Sequence, residues 1–371
     1  MNRITEGREL FRKGKYFMRQ EIITLNEERN VTLTAYLQEV EGEFGFARRP
    51  AMVVIPGGGY SMCSDREADP VADAYLREGY QAFVLRYSVG EFKTWPNPME
   101  DYEQAMAMIE DRSEEWHIDK GRINIVGFSA GGHLSACAAT LAEHKPAAAV
   151  LVYPAIEEEI VDMCQPGMPY PYREVTKDTS PCFLAACRDD RTVDIKSTLL
   201  METALNENGI AFESHIYSYG GHGFSTGEDW VVTNSLSERV KDWVPDSIGW
   251  LSELQGKLTY KGFTEPTIEP SMNADGAPVL SLNCTVIHLR KQKGEAETLL
   301  APLFEGINKV AEERGYEPET LYYAIRNNTG REILEMIQVD QDTIKALDSA
   351  LHKLVNVKLP QEEKSNEKAG I

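Results

Sequence analysis

Cysteine and positive charge are both scarce in this chain. Six cysteines stand among 371 residues, at 63, 137, 164, 182, 187 and 284, and no two form a CxxC pair. That spacing gives neither a disulfide framework nor a zinc-ligand set, so reduced thiols are expected. Lys and Arg number 38 against 59 Asp and Glu, a net charge of −21. A surface of that sign repels phosphate backbones and anionic headgroups, which argues against nucleic-acid binding and membrane-surface attachment. No apolar run reaches the roughly 18 residues a membrane span needs. The opening stretch MNRITEGRELFRKGKYFMRQE scatters charge and has no apolar core segment, unlike a secretory signal, so a cytoplasmic location is expected. HExxH, GxxxxGK[ST] and a helix-opening GxGxxG are missing as well. No metal and no cofactor is therefore expected.

What is present is enough for a sizeable core: 42% of residues are hydrophobic and 26% charged, which sets whole-chain disorder aside. From about residue 20 to 250 the chain alternates short apolar runs with helical patterns. Glu21–Leu25 and Val31–Leu37 read as strands joined by the polar turn NEERN. AMVVI (51–55), QAFVLRY (81–87), INIV (123–126), AAAVLVYP, CFLAAC (182–187) and AFESHIYSY read as further strands with helices between them. That βα alternation predicts an α/β fold, an open and mostly parallel sheet with helices on both faces.

Two stretches break the rhythm. Residues 156–180 carry Pro166, Pro169 and Pro171 and are long for a connection, as a lid or cap insertion is. Residues 256–278, rich in Pro, Gly, Thr and Asp, read as a linker that ends a first domain at about residue 255. Beyond it, VLSLNCTVIHL reads as a strand and Leu299, Leu300, Leu303, Ile307 and Val310 mark a helix. LYYAIR, NNTG and REILEMIQV read as a β-hairpin, Ile344, Leu347, Leu351 and Leu354 mark a second helix, and VNVKL reads as a last strand. The order βαββαβ over 279–360 predicts a small ferredoxin-like α+β domain, with a disordered tail at 361–371.

GFSAG (127–131) carries the sharpest chemical signal. It is a G-x-S-x-G set between strand INIV and a helix, where it forms a turn that lifts the serine hydroxyl above the sheet edge. The alternative is an ordinary glycine-rich strand-to-helix turn. A serine hydroxyl needs a histidine base and a carboxylate to orient it. Of the seven histidines, His222 stands apart: YGGHGF is a loop after a strand, flanked by glycines that let the ring fold over a neighbour. The preceding strand ends in RDDRTV and offers Asp189 and Asp190. PGGGY (56–60) follows strand AMVVI, and Gly58, Gly59 and the amide of Ala130 are the expected oxyanion donors. Tyr60 is expected to shape the site floor. Tyr170 and Tyr172 are candidates to stack on substrate or to anchor the 156–180 loop. Arg66 and Glu67, just after the glycine loop, are candidates to line the site entrance but read better as a solvated helix start, and Asp101 reads as helix-start electrostatics.

Together the stretches VIPGGGY, READPVADAYLREGYQAFVLRYSV, WHIDKGRINIVGFSAGGHLSA, SPCFLAACRDDRTVDI and HIYSYGGHGF resemble the α/β-hydrolase superfamily. Within it they are similar to the bacterial acetyl-xylan/feruloyl esterase-like carbohydrate esterases with a short cap. The resemblance covers roughly residues 20–250. It implies Ser129 as nucleophile, Asp190 as the acid and His222 as base. It also implies a serine carboxylester hydrolase acting on small acyl esters of sugars or other small molecules. Pro56, Asp194 and the pair Cys187–Arg188 depart from the family's pattern without removing any of these three residues. A serine peptidase of the same fold and a non-catalytic scaffold are the competing readings. The C-terminal part weakly resembles the ferredoxin-like dimeric α/β-barrel module. As a strand, LYYAIR would set Leu321, Tyr323 and Ile325 on one face of its sheet and Tyr322 and Ala324 on the other; a sheet apolar on both faces needs a partner surface, so a homodimer paired through that domain is expected.

Overall fold

The computed structural model describes residues 4–5, 9–10, 18–40, 44–232, 235–271, 273–275, 277 and 279–357. The chain forms two compact units, Met1–Pro270 and Ser271–Ile371.

The first unit is built on one sheet. Its main strands are β1 (Met18–Asn26), β2 (Val31–Gln38), β3 (Arg49–Ile55), β4 (Gln81–Arg86), β5 (Ile118–Phe128), β6 (Ala149–Val152), β7 (Cys182–Cys187) and β8 (Phe212–Tyr217). They lie in the order β1-β2-β4-β3-β5-β6-β7-β8, and two short strands, Ile4–Thr5 and Glu9–Leu10, pair with β1. The β1–β2 and β2–β4 contacts are antiparallel; from β4 to β8 every contact is parallel. β3 is buried at each residue, as a strand covered on both faces must be. Its alternate side chains divide the core. Val53 and Ile55 pack on one face with α2 (Asn97–Asp111), α3 (Ser129–Leu141) and α5 (Lys196–Glu207). Met52 and Val54 pack on the other with α1 (Asp69–Arg77) and α6 (Trp243–Gln255), around Tyr75, Trp243 and Trp250. β2 alternates buried and half-buried residues, the pattern of a less covered antiparallel strand.

The 156–180 segment joins β6 to β7 and holds helix α4 (Glu158–Cys164) and a single turn at Pro171–Arg173. It is anchored by buried Val161, Met168 and Val175. Residues 257–270, which read as linker, belong to the first unit. Leu258–Thr259 pairs with Gly262–Phe263, the amides of Thr267 and Ile268 donate to the Glu253 carbonyl, and the Ala211 amide donates to the Pro270 carbonyl.

The second unit corrects the sequence reading. Its described residues form no sheet, only isolated bridges at Val279–Val355 and Thr285–Thr329. Its elements are the helices α7 (Val286–Lys291), α8 (Glu295–Arg314), α9 (Pro318–Ile325), α10 (Gly330–Met336) and α11 (Gln341–Leu351). The ferredoxin-like hairpin over LYYAIR and REILEMIQV is replaced by α9 and α10. Tyr323, which strand alternation would set beside Leu321 and Ile325, is 69% exposed, while Tyr322 is buried. Leu321, Tyr322 and Ile325 pack on the unit's core, the i, i+1, i+4 spacing of a helix face. Thr329 and Glu332 form a reciprocal capping box that starts α10. The open sheet face on which two copies were expected to pair is thus absent among the described residues. The tail at 361–371 lies outside them.

Candidate active site

Parallel strands deliver their C-terminal ends to one edge of the sheet, where such folds collect their functional groups. At the end of β5, Ser129 takes φ 51°, a left-handed conformation that costs a non-glycine residue about 1–3 kcal/mol. Packing leaves the turn no alternative. A Cβ on Gly127 would stand 2.0 Å from Ser135 Oγ and 2.3 Å from the Gly131 carbonyl oxygen. One on Gly131 would stand 2.2 Å from the Ile55 carbonyl oxygen and 2.4 Å from that of Pro56. Ser129 opens α3, so the next amide, Ala130, lies in a first turn whose N–H groups have no intrahelical acceptor.

The loop after β8 brings His222 to the serine: Nε2 lies 2.9 Å from Ser129 Oγ. On the other side of the ring, Nδ1 lies 2.6 Å from Asp190 Oδ2. The loop after β7 holds that carboxylate in place, because Asp190 Oδ1 accepts the amides of Thr192 at 2.8 Å and Val193 at 3.0 Å. The Asp190 side chain is 2% exposed and that of His222 18%, so this pair is largely shielded from competing water. Asp189, the other candidate, points elsewhere. Its Oδ1 accepts the Gly220 and Gly221 amides at 2.9 and 3.0 Å and so fastens the loop that carries His222. An open depression of about 380 Å³ adjoins His222, lined also by Asp189, Arg191, Thr192 and Ser235.

The loop after β3 turns at Gly58 (φ 130°) and Gly59 (φ 60°). The Gly58 carbonyl accepts the Ser61 and Met62 amides at 3.0 and 3.3 Å. A Cβ at Gly58 would lie 2.2 Å from the Met62 carbonyl oxygen, so glycine is required there. No acceptor within the described residues meets the Gly58 or Gly59 amide.

Tyr60 lies within the 57–60 loop, and the two cap tyrosines bond inside the cap. Tyr60 is 1% exposed, and its hydroxyl lies 2.7 Å from His133 Nδ1, so it supports the loop from within. Tyr170 donates to Asp162 at 2.9 Å and Tyr172 to Glu158 at 2.5 Å. Arg173 lies 5.0 and 5.5 Å from their ring centroids. These bonds and the Arg173 guanidinium tie residues 158–173 of the cap together. Asp101, expected to serve only the start of α2, is fully buried; it pairs with Arg29 at 2.6 Å and accepts the Ser88 amide at 2.7 Å.

His133, one turn into α3, ties three segments together. Its Nε2 lies 2.8 Å from the Pro169 carbonyl oxygen of the cap. A carbonyl only accepts, so Nε2 carries the proton and Nδ1 accepts from Tyr60. Burial pushes the His133 pKa down to about 4, against the opposing pull of the Pro169 carbonyl. The ring is therefore neutral in the folded chain while the unfolded chain protonates it below about 6.5. Between those values the unfolded state binds more protons, so stability falls as pH falls. The expected loss at pH 5 is about 2 kcal/mol. Urea unfolding at pH 7 and pH 5 should show that loss in the native chain and not in His133→Gln; equal losses in both would refute the assignment.

Sequence reasoning missed Tyr153 and Ser225 and read Glu67 as a solvated helix start, whereas all three are buried at this end of the sheet. The available signal was position: Tyr153 follows β6 directly, at the edge where the neighbouring parallel strands deliver Ser129 and Asp190.

A parallel sheet of this strand order, with a serine on the β5–α3 turn and a histidine and a carboxylate from later loops beside it, defines the α/β-hydrolases. The chain belongs to that family: it covers 97% of an α/β-hydrolase enzyme from a Medee basin deep-sea metagenome library, using 63% of its own length, at 38% identity and a TM-score of 0.59. The family model described as BD-FAE matches residues 44–168. An acetylxylan esterase of Xylanibacter ruminicola is 29% identical over 216 residues, 52% of this chain and 45% of that protein. Endo-1,4-beta-xylanase B of Butyrivibrio fibrisolvens is 28% identical over 221 residues, 49% of this chain and 33% of that protein. The chain thus spans less than half the length of these curated relatives. No helix among the described residues is long and apolar enough to cross a membrane.

Proposed function

We propose that the chain is a serine carboxylester hydrolase that removes small acyl groups, acetyl foremost, from sugars. The observation that carries this reading is the continuous line from Ser129 Oγ through both ring nitrogens of His222 to Asp190. In the reaction, Nε2 takes the serine proton as Oγ attacks the ester carbonyl. Asp190 holds the Nδ1–H tautomer and stabilises the imidazolium that forms. The Gly58, Gly59 and Ala130 amides bind the oxyanion, where one donor is worth about 10²–10³ in rate. His222 returns the proton to the departing sugar hydroxyl, leaving an acyl-Ser129 ester. Water, deprotonated by the same ring, then releases the acid.

The similarity to an acetylxylan esterase supports an acetyl group on a xylose-type sugar as substrate. Two measurements test the reading. A fluorophosphonate probe should add one label per chain, at Ser129. Acetylated xylo-oligosaccharides should release acetate, while peptide anilides should not be cleaved. Label elsewhere, or anilide cleavage without acetate release, would overturn it.

A further inference from the structure

Beneath the serine lies a buried carboxylate whose two oxygens serve different loops. Glu67 is 5% exposed and pairs with no cation among the described residues. Its Oε2 accepts the amide of Gly57 at 2.9 Å, the residue before the glycines that turn toward the site. Its Oε1 accepts the Tyr153 hydroxyl at 2.7 Å. The Tyr153 oxygen in turn accepts the Ser225 amide at 3.0 Å, three residues past His222. Every role in this chain of bonds is fixed. The two amides can only donate and a carboxylate can only accept, so the tyrosine proton goes to Glu67 Oε1 while Oε2 takes the Gly57 amide.

The same groups touch the reactive residues. The Tyr153 ring meets the His222 ring edge-on, with centroids 4.8 Å apart. A Cβ on Gly57 would lie 2.8 Å from Glu67 Oε2 and 3.0 Å from Ser129 Cβ. Tyr153 and Ser225 hold φ 38° and 47°, in the left-handed region that side chains rarely adopt. Ser225 is pinned further: its hydroxyl donates to the Arg66 carbonyl at 2.5 Å, and Trp243 Nε1 donates to its carbonyl at 2.8 Å. Burying a carboxylate is costly, and packing alone would be met as well by an apolar pair. A group that accepts from two loops at once has no apolar substitute.

We propose that Glu67, acting through Tyr153, is a positioning residue that locks the 57–60 loop and the His222 loop in one register, so that oxyanion donors and base converge on one point above Ser129. The proposal rests on the esterase reading of the site. A double-mutant cycle on 4-nitrophenyl acetate hydrolysis tests it. Tyr153→Phe keeps the ring and cuts the link; Glu67→Gln keeps the shape and sets an NH₂ against one of the two donors. Each single variant should lower kcat about 10–100-fold, the scale of a small misplacement of reacting groups. KM should change less than about threefold, because neither residue touches substrate. The double variant should fall no further than the worse single one, because both cut the same link. Should Tyr153→Phe fail to fold, Glu67→Gln reads the same effect. Active native chain with both single variants within about twofold of it, or losses that multiply in the double variant, would overturn the strut alone. Native chain that hydrolyses no ester would overturn the site reading and the strut with it.

Discussion

Ser129→Ala is expected to lower kcat for ester hydrolysis by about 10⁶-fold, the scale on which loss of the nucleophile removes a serine-based site as a whole. The hydroxyl is half-buried at the mouth of the turn and touches His222 alone among the hydrogen-bonding side chains described around it. Stability should therefore stay within about 1 kcal/mol of the native chain. Initial rates on 4-nitrophenyl acetate and a urea midpoint measure the two quantities. A variant that keeps a tenth of the native rate would show that the hydrolysis does not pass through this serine. A variant that unfolds early would show that the hydroxyl helps hold the turn.

The second large effect separates two adjacent aspartates. Asp190→Asn should lower kcat by about 10⁴-fold, because an amide beside Nδ1 favours the wrong ring tautomer and cannot stabilise the imidazolium. Asp189→Asn should cost less than about tenfold, because its amide oxygen can still accept the Gly220 and Gly221 amides and only the charge-assisted part of those bonds is lost. Steady-state kinetics on the two variants decides the matter. A larger loss in Asp189→Asn would mean that fastening the His222 loop outweighs orienting the ring.

The parts of the site that could be read from the sequence have local signatures. GFSAG, PGGGY and YGGHGF each place glycine where a turn must be tight, and each follows a run of strand-forming residues. The aspartate pair is less transparent. Both residues sit in the same loop, and only backbone geometry sends one carboxylate to the ring and the other to the amides of residues 220 and 221. Glu67 and Tyr153 carry no local mark at all. Glu67 stands in a charged stretch, SDREADP, that reads as a solvated helix start, and Tyr153 reads as one more residue of a buried strand. Their roles arise from contacts between segments 86 residues apart, which no spacing rule reports.

The C-terminal unit fails for another reason. A short apolar run such as LYYAIR fits a strand by alternation and a helix by its i, i+1, i+4 residues, and periodicity cannot choose between them. The deciding mark was nearby: Thr329 and Glu332 have the spacing of a capping box, a helix-start signature that outweighs the NNTG turn. In the first unit, AMVVI and CFLAAC are short continuous apolar runs bounded by turn formers, PGGGY after the first and Ser-Pro before and Asp-Asp after the second, and their length favours strands.

The cap can be viewed as an exchangeable cassette. Its entry is tied by the Ala155 amide to the Ser129 carbonyl and its exit by the Ser180 amide to the Ala139 carbonyl, both at 3.0 Å. These are backbone bonds, indifferent to the side chains between them. The Ser129, Asp190 and His222 loops are carried by β5, β7 and β8, whose parallel pairing runs through β6 and does not involve the segment. A segment grafted between these two anchors is therefore expected to leave Ser129, His222 and Asp190 in line, provided that it keeps the buried Val161, Met168 and Val175 and the Pro169 carbonyl that takes the His133 proton. The ends of the segment are thus held by the main chain, and its middle by apolar packing and by the Lys93 ammonium on the Cys164 carbonyl.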